Sequence, residues 1–219
     1  MVKFPSATLA TTLARGTPAV ALAMLALAPH AALAHHPTGG MMPTSAWHGF
    51  LSGLGHPVIG FDHLAYLVGL TMLAAGFGRP LTIPAGFVAA LIGGVLLHVA
   101  GVALPHVESL VTLSVVFVGM MLALALRRLP AALVAVLAAG GLLHGFALGE
   151  AVVGAETTPI LAYLAGIAVI QVVLVGLLGY AMARPKVGSL MARPAVLRVA
   201  GLAIALAGVA VAAAPALVS

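Results

Sequence analysis

Six apolar runs, each close to the ~20 residues that a bilayer demands of a helix, follow one another along this chain with short polar turns between them. That repetition leaves few folds open. A soluble domain has about a quarter of its residues charged, whereas this chain of 219 residues is 6% charged and 63% hydrophobic. The pattern predicts an all-α integral membrane protein with spans near 57–77, 82–103, 107–126, 130–149, 159–182 and 195–216. The connections are marked by turn residues: "FGRP", "ALPHVE", "LRRLP", "GAETTP" and "ARPKVGSLMARP". None is long enough to hold a second domain, so residues 35–219 read as a single bundle of six transmembrane helices.

Ahead of these runs, Lys3 and Arg15, the apolar "PAVALAMLALAP" and the small-residue "ALA" ending at Ala34 follow the pattern of a secretory signal peptide. Residues 1–34 are therefore expected to be a leader, with His35 and His36 at the new amino terminus. With that terminus in the periplasm, Arg79, Arg127, Arg128, Arg184, Lys186 and Arg193 all fall on the cytoplasmic side, and Arg198 lies just inside the last span. Glu108, Glu150 and Glu156 fall outside. This sorting obeys the positive-inside rule and predicts a multi-pass protein of a bacterial inner membrane. Trp47 sits just before the first run, where an interfacial aromatic belongs. The formal charge of +5 is thus a topology signal. It forms no basic stripe of the kind that nucleic acid requires.

The chain has no cysteine, so any metal must be held by nitrogen and oxygen. Nine histidines stand against that absence, and ionisable groups in a bilayer are expensive enough to mark function. The run "HPVIGFDH" places His56, Asp62 and His63 at the outer end of the first span. Imidazole with carboxylate suits nickel, cobalt or zinc. Seven residues are nearly two turns, so His56 and His63 share a face but lie ~10 Å apart along a straight helix. One ion cannot bridge that gap. Either Pro57, expected at the first helical position, and Gly60 bend the entry so that His56 folds back, or ligands arrive from other helices.

The second constellation is "HGFALGE", bracketed by His144 and Glu150, while Gly141, Gly145 and Gly149 form a stripe at every fourth residue. Such stripes let helix backbones approach closely and would bring His144 within reach of a neighbour, plausibly the first span. His98, His106 and Glu108 lie at or beyond the outer helix ends; Glu108 can equally cap the third helix near its positive end. Gln171 falls mid-span and is either interhelical glue or a lining residue of a path. Tyr163, near the outer face, fits either role. Below the outer cluster the polar residues are Thr71, Thr112, Ser114 and Gln171. His35 and His36 beside a free amino terminus could chelate nickel or copper, and Met41 with Met42 could attract Cu(I). The chain carries no Walker A, HExxH or GxSxG sequence, so neither ATP-driven transport nor the commonest hydrolase chemistry is indicated.

The runs "HPVIGFDHLAYLVGL", "LPHVESLVTLSVVFVGMML" and "HGFALGEAVVGAETTPILAYLAG" together resemble the HupE/UreJ family of hydrogenase and urease accessory membrane proteins. The resemblance covers nearly the whole chain after the leader. It implies a nickel, sometimes cobalt, permease that is not an enzyme and holds no tightly bound cofactor, the ion being its cargo. It also implies metalloenzyme maturation proteins as partners beside the lipid bilayer. By the same likeness His56, Asp62 and His63 match the family's metal-binding motif, His144 and Glu150 its second polar motif, and Glu108 the glutamate after the leucine-proline turn. The chain departs from many relatives at Leu148, where they carry a second histidine, and around Gln171. Two rival readings are a membrane-held nickel-binding accessory protein and an intramembrane zinc hydrolase.

Overall fold

The computed structural model describes residues 41–125 and 130–218. The expected leader, His35, His36, Arg127 and Arg128 lie outside the described residues. The described chain is helical: α1 (Ala46–Ile59), α2 (Phe61–Gly76), α3 (Thr82–Val99), α4 (Val107–Ala123), α5 (Ala131–Gly149), α6 (Thr157–Ala183), α7 (Pro185–Met191) and α8 (Pro194–Val218), with a 3₁₀ turn over Glu150–Val152 after α5. Four stretches are long and apolar enough to cross a membrane unaided: Thr82–Val99, Ala132–Val152, Thr157–Ala183 and Pro194–Ala213. The bent pair α1–α2 makes a fifth if counted as one span, and Val107–Ala123 is a shorter apolar helix.

The fold corrects the expected start of the first span. The helix begins at Ala46, not near Pro57, capped by the Ser45 hydroxyl, which accepts from the His48 N–H. Pro57 therefore lies inside α1 near its end rather than at a first helical position. The chain then turns by 67° before α2 begins at Phe61. The missing N–H of Pro57 weakens the last turn of α1, and Gly60 completes the break. Helices α3, α4, α5, α6 and α8 occupy the other apolar runs. The connection after α6 contains the short helix α7.

Helices associate as three close pairs: α1 with α6, α3 with α5, and α4 with α8. Glycine explains each. A Cβ at Gly49 or Gly53 would run into the backbone carbonyls of Pro159 and Tyr163, and one at Gly166 into that of Phe50. In the second pair, Gly94 faces the Leu142 carbonyl while Gly141 and Gly145 face those of Phe87 and Leu91. In the third, Gly119 and Gly201 abut each other's helices. Lipid supplies no hydrophobic force between helices, so close backbone packing of this kind must hold them.

Helix α2 runs through the middle, touching α1, α3, α4, α6 and α8. Ten of its sixteen residues are buried, which fits a helix apolar all round. The outer helices show the opposite. Leu113, Leu161, Val172, Leu177 and Leu206 stand more than 60% exposed, a surface that water would not tolerate and lipid requires. The protein is a multi-pass, all-helical membrane protein.

Candidate functional site

The stripe Gly49, Ser52, Gly53, His56 and Pro57 forms the buried face of α1. Its helical spacing, with glycines at the crossing, seats that face on Pro159, Tyr163 and Gly166 of α6. His56 is thereby delivered to Tyr163, with Nδ1 3.0 Å from the hydroxyl. The same hydroxyl donates to the Leu148 carbonyl of α5 at 2.6 Å. Beyond the bend, Asp62 and His63 occupy the first turn of α2, where a carboxylate favours the positive helix end. The His63 backbone N–H donates to Asp62 Oδ1 at 2.8 Å, and His63 Nε2 lies 3.9 Å from the same oxygen.

The bend brings the rings of His56 and His63 to 6.2 Å between centroids. Gly60 has an ordinary φ of −68°, so space rather than backbone freedom requires it. A Cβ there would sit 2.6 Å from His63 Cδ2. His144 arrives from α5, its Nδ1 2.6 Å from His63 Nδ1, and its Nε2 lies 2.9 Å from Ser114 Oγ on α4. Its ring also rests against Tyr66 and Phe87, which stack on each other. Tyr66 is anchored by donating to the Leu137 carbonyl at 3.0 Å. Five helices thus converge on one buried polar cluster. His56, Asp62, His63 and His144 are each no more than 4% exposed, and no lysine or arginine is among the described buried residues.

The remaining expected residues lie apart from this cluster. Glu150 is exposed in the 3₁₀ turn, and Glu108 is exposed in the first turn of α4. His98 stacks on Phe146 with its Nδ1 2.5 Å from the Phe146 carbonyl, beside Gly149. The glycine stripe of α5 packs on α3, so it brings His144 to α2 indirectly, by fixing α5 in place. His106 is exposed with a left-handed backbone, and Met41 and Met42 are exposed. Gln171 is buried in α6, its Oε1 without a hydrogen-bond partner among the described residues. Thr71 and Thr112 donate to carbonyls one turn back in their own helices. Among the described residues no three His, Asp or Glu side chains are disposed to hold one ion as they stand. Sequence reasoning left Ser114 as a lining candidate and Tyr163 as either interhelical glue or lining; their partners, on other helices, leave no mark in the sequence.

Residues 22–211, which include every member of this cluster, match the family model described as HupE / UreJ protein. The chain belongs to the HupE/UreJ family. Among HupE/UreJ relatives, Protein HupE of Rhizobium leguminosarum bv. viciae is 34% identical over 165 residues, covering 74% of this chain and 83% of that protein. No solved structure matches the chain. HupE/UreJ membership makes it a membrane protein of the hydrogenase and urease accessory class, connected with nickel and cobalt.

Proposed function

We propose that this HupE/UreJ protein carries Ni²⁺, with Co²⁺ as the alternative cargo, from the periplasm to the cytoplasm for hydrogenase or urease assembly. In this reading the leader is removed and the new amino terminus is periplasmic. The bundle crosses the inner membrane six times, α1–α2 counting as one broken span and α4 as a short one. The observation that carries the proposal is the convergence of His56, Asp62, His63 and His144, buried together in a bundle whose other described buried polar residues, Ser52, Thr71, Thr112 and Gln171, are uncharged. Buried charges are paired or coordinate metals, and Asp62 is buried among imidazoles, side chains able to do both with it. Imidazole with carboxylate is a donor set that suits a divalent cation with borderline preference for nitrogen and oxygen.

A discontinuous helix suits this task. The carboxyl end of α1 and the amino end of α2 meet at Gly60, and the negative end of a half-helix dipole favours a cation at such a break. Tyr66 and Phe87 stack on each other against the His144 ring, which suits a capture station better than an open pore. Accumulation of radioactive nickel in cells tests the proposal. Wild type should accumulate the ion and Asp62→Ala should not. Equal accumulation in the two would overturn it.

The rival reading of a membrane-held binding protein draws on one observation. The Thr71 and Thr112 hydroxyls are spent on their own helices, so the inward lining is thin. That protein would bind nickel at the outer cluster with no net cytoplasmic gain. Fractionating the accumulated isotope into membrane-bound and cytosolic pools separates the two.

A further inference from the structure

The hydrogen bonds around the three histidines fix where their protons lie. Ser114 has one hydroxyl proton and donates it to the Val111 carbonyl at 2.6 Å. Toward His144 Nε2, at 2.9 Å, Ser114 can therefore only accept, and His144 must carry its proton on Nε2. In the neutral ring Nδ1 is then an acceptor. The 2.6 Å contact with His63 Nδ1 requires His63 to donate from that atom. His63 keeps its lone pair on Nε2. Tyr163 imposes the same order on His56 Nδ1: its single proton goes to Leu148, so His56 donates from Nδ1.

Distances then distinguish two places for a cation. Imidazole nitrogen and carboxylate oxygen bind an ion such as zinc at about 2.0–2.2 Å. His63 Nε2 and Asp62 Oδ1, 3.9 Å apart, already stand at nearly the separation that two such bonds span. The 2.6 Å between His63 Nδ1 and His144 Nδ1 is shorter than the roughly 3.4 Å that two such bonds span at a tetrahedral angle, and a proton already bridges it. We propose that His144 and Ser114 are positioning residues rather than ligands, and that they hold His63 so that Nε2, across from Asp62, meets the incoming cation. Tyr163 likewise holds His56 by its Nδ1. Metal-binding histidines generally have their second nitrogen fixed by such a partner. The assignment rests on the transport reading for the identity of the ion but not for the order of the protons.

Histidine ¹⁵N NMR of the full-length, metal-free chain in lipid nanodiscs tests that order. His56 should carry a proton on Nδ1, His63 should show the Nδ1–H tautomer and His144 the Nε2–H tautomer. Ser114→Ala removes the acceptor for His144 Nε2–H. The neutral His144 ring should then protonate Nδ1, turn His63 into an acceptor there and move the His63 proton to Nε2. Ni²⁺ affinity, measured by equilibrium dialysis, should fall about 10- to 100-fold, and Ser114→Thr should restore both readouts. Wild-type His144 protonated on Nδ1, or Ser114→Ala leaving tautomers and affinity unchanged, would overturn the proposal. The stated tautomers in a wild-type chain that binds no nickel would keep the proton order and sink the transport reading instead.

Discussion

At the scale of single residues, Asp62 matters most because it is a buried acid in a bundle whose described buried set holds no fixed positive charge. Asp62→Asn keeps an oxygen to accept from the His63 N–H and removes only the charge. Nickel binding by the purified chain should fall at least tenfold. The thermal midpoint should change little, since removing the charge also removes the cost of burying it. A fall in midpoint with binding intact would show that Asp62 is a structural anchor. Metal capture also requires deprotonated imidazole, so nickel affinity should weaken as the outer pH is lowered through the range in which histidine ordinarily titrates. Affinity unchanged between about pH 7.5 and pH 5.5 would count against imidazole ligands. His56, Asp62, His63 and His144 were legible in the sequence because such side chains are rare in apolar runs. Ser114 and Tyr163 were visible as polar residues but not as partners. The side chains they hold are 30 and 107 positions away in the chain, and helix packing alone brings them together.

At the scale of elements, the site exists because glycine faces set the register of helix pairs. Gly145 lies against the Leu91 carbonyl with no room for a side chain, one residue after His144. Gly145→Val should push α5 from α3, cost about 1–3 kcal/mol through overpacking, and displace His144 from Ser114. The expected result is a lower thermal midpoint together with weaker nickel binding. Gly60→Ala separates the two effects. Its Cβ would press on the His63 ring at a break already outside regular helix, so binding should fall while the midpoint stays within a few degrees. Hydropathy located α3, α5, α6 and α8 because each is a long apolar run. It missed α1, whose sequence "AWHGFLSGLGHPVI" holds three glycines and a proline, poor helix formers in isolation. Tertiary packing overrides that propensity, since the glycines that weaken α1 alone are what let it lie against α6. The period of its small residues was the signal available, visible only once a partner face was known.

At the scale of the whole molecule, the polar cluster sits near one end of the bundle. His63 and Asp62 begin α2, His144 lies within two turns of the end of α5, and Ser114 and Tyr163 lie within about two turns of the starts of α4 and α6. The sequence had already indicated this polarity, because the basic residues of the turns sort to one side and the histidines and acids to the other. An ion captured at that end must cross most of the bilayer, and on the orientation proposed above it does so down the electrical gradient. A divalent cation gains about 4.6 kcal/mol per 100 mV, from about 2.3 per charge, enough for roughly a thousandfold accumulation without a nucleotide. Proteoliposomes holding the purified chain make this measurable. With a potassium diffusion potential, negative inside, nickel should concentrate in the lumen in proportion to the imposed voltage. Clamping the potential to zero should return the ratio to near one while leaving binding to the outer cluster untouched. A membrane-held binding protein would show the same small, saturable uptake at every voltage, because its metal never leaves the site. The slope of accumulation against voltage is therefore the quantity that divides transport from storage, and twofold charge predicts a tenfold rise for each ~30 mV.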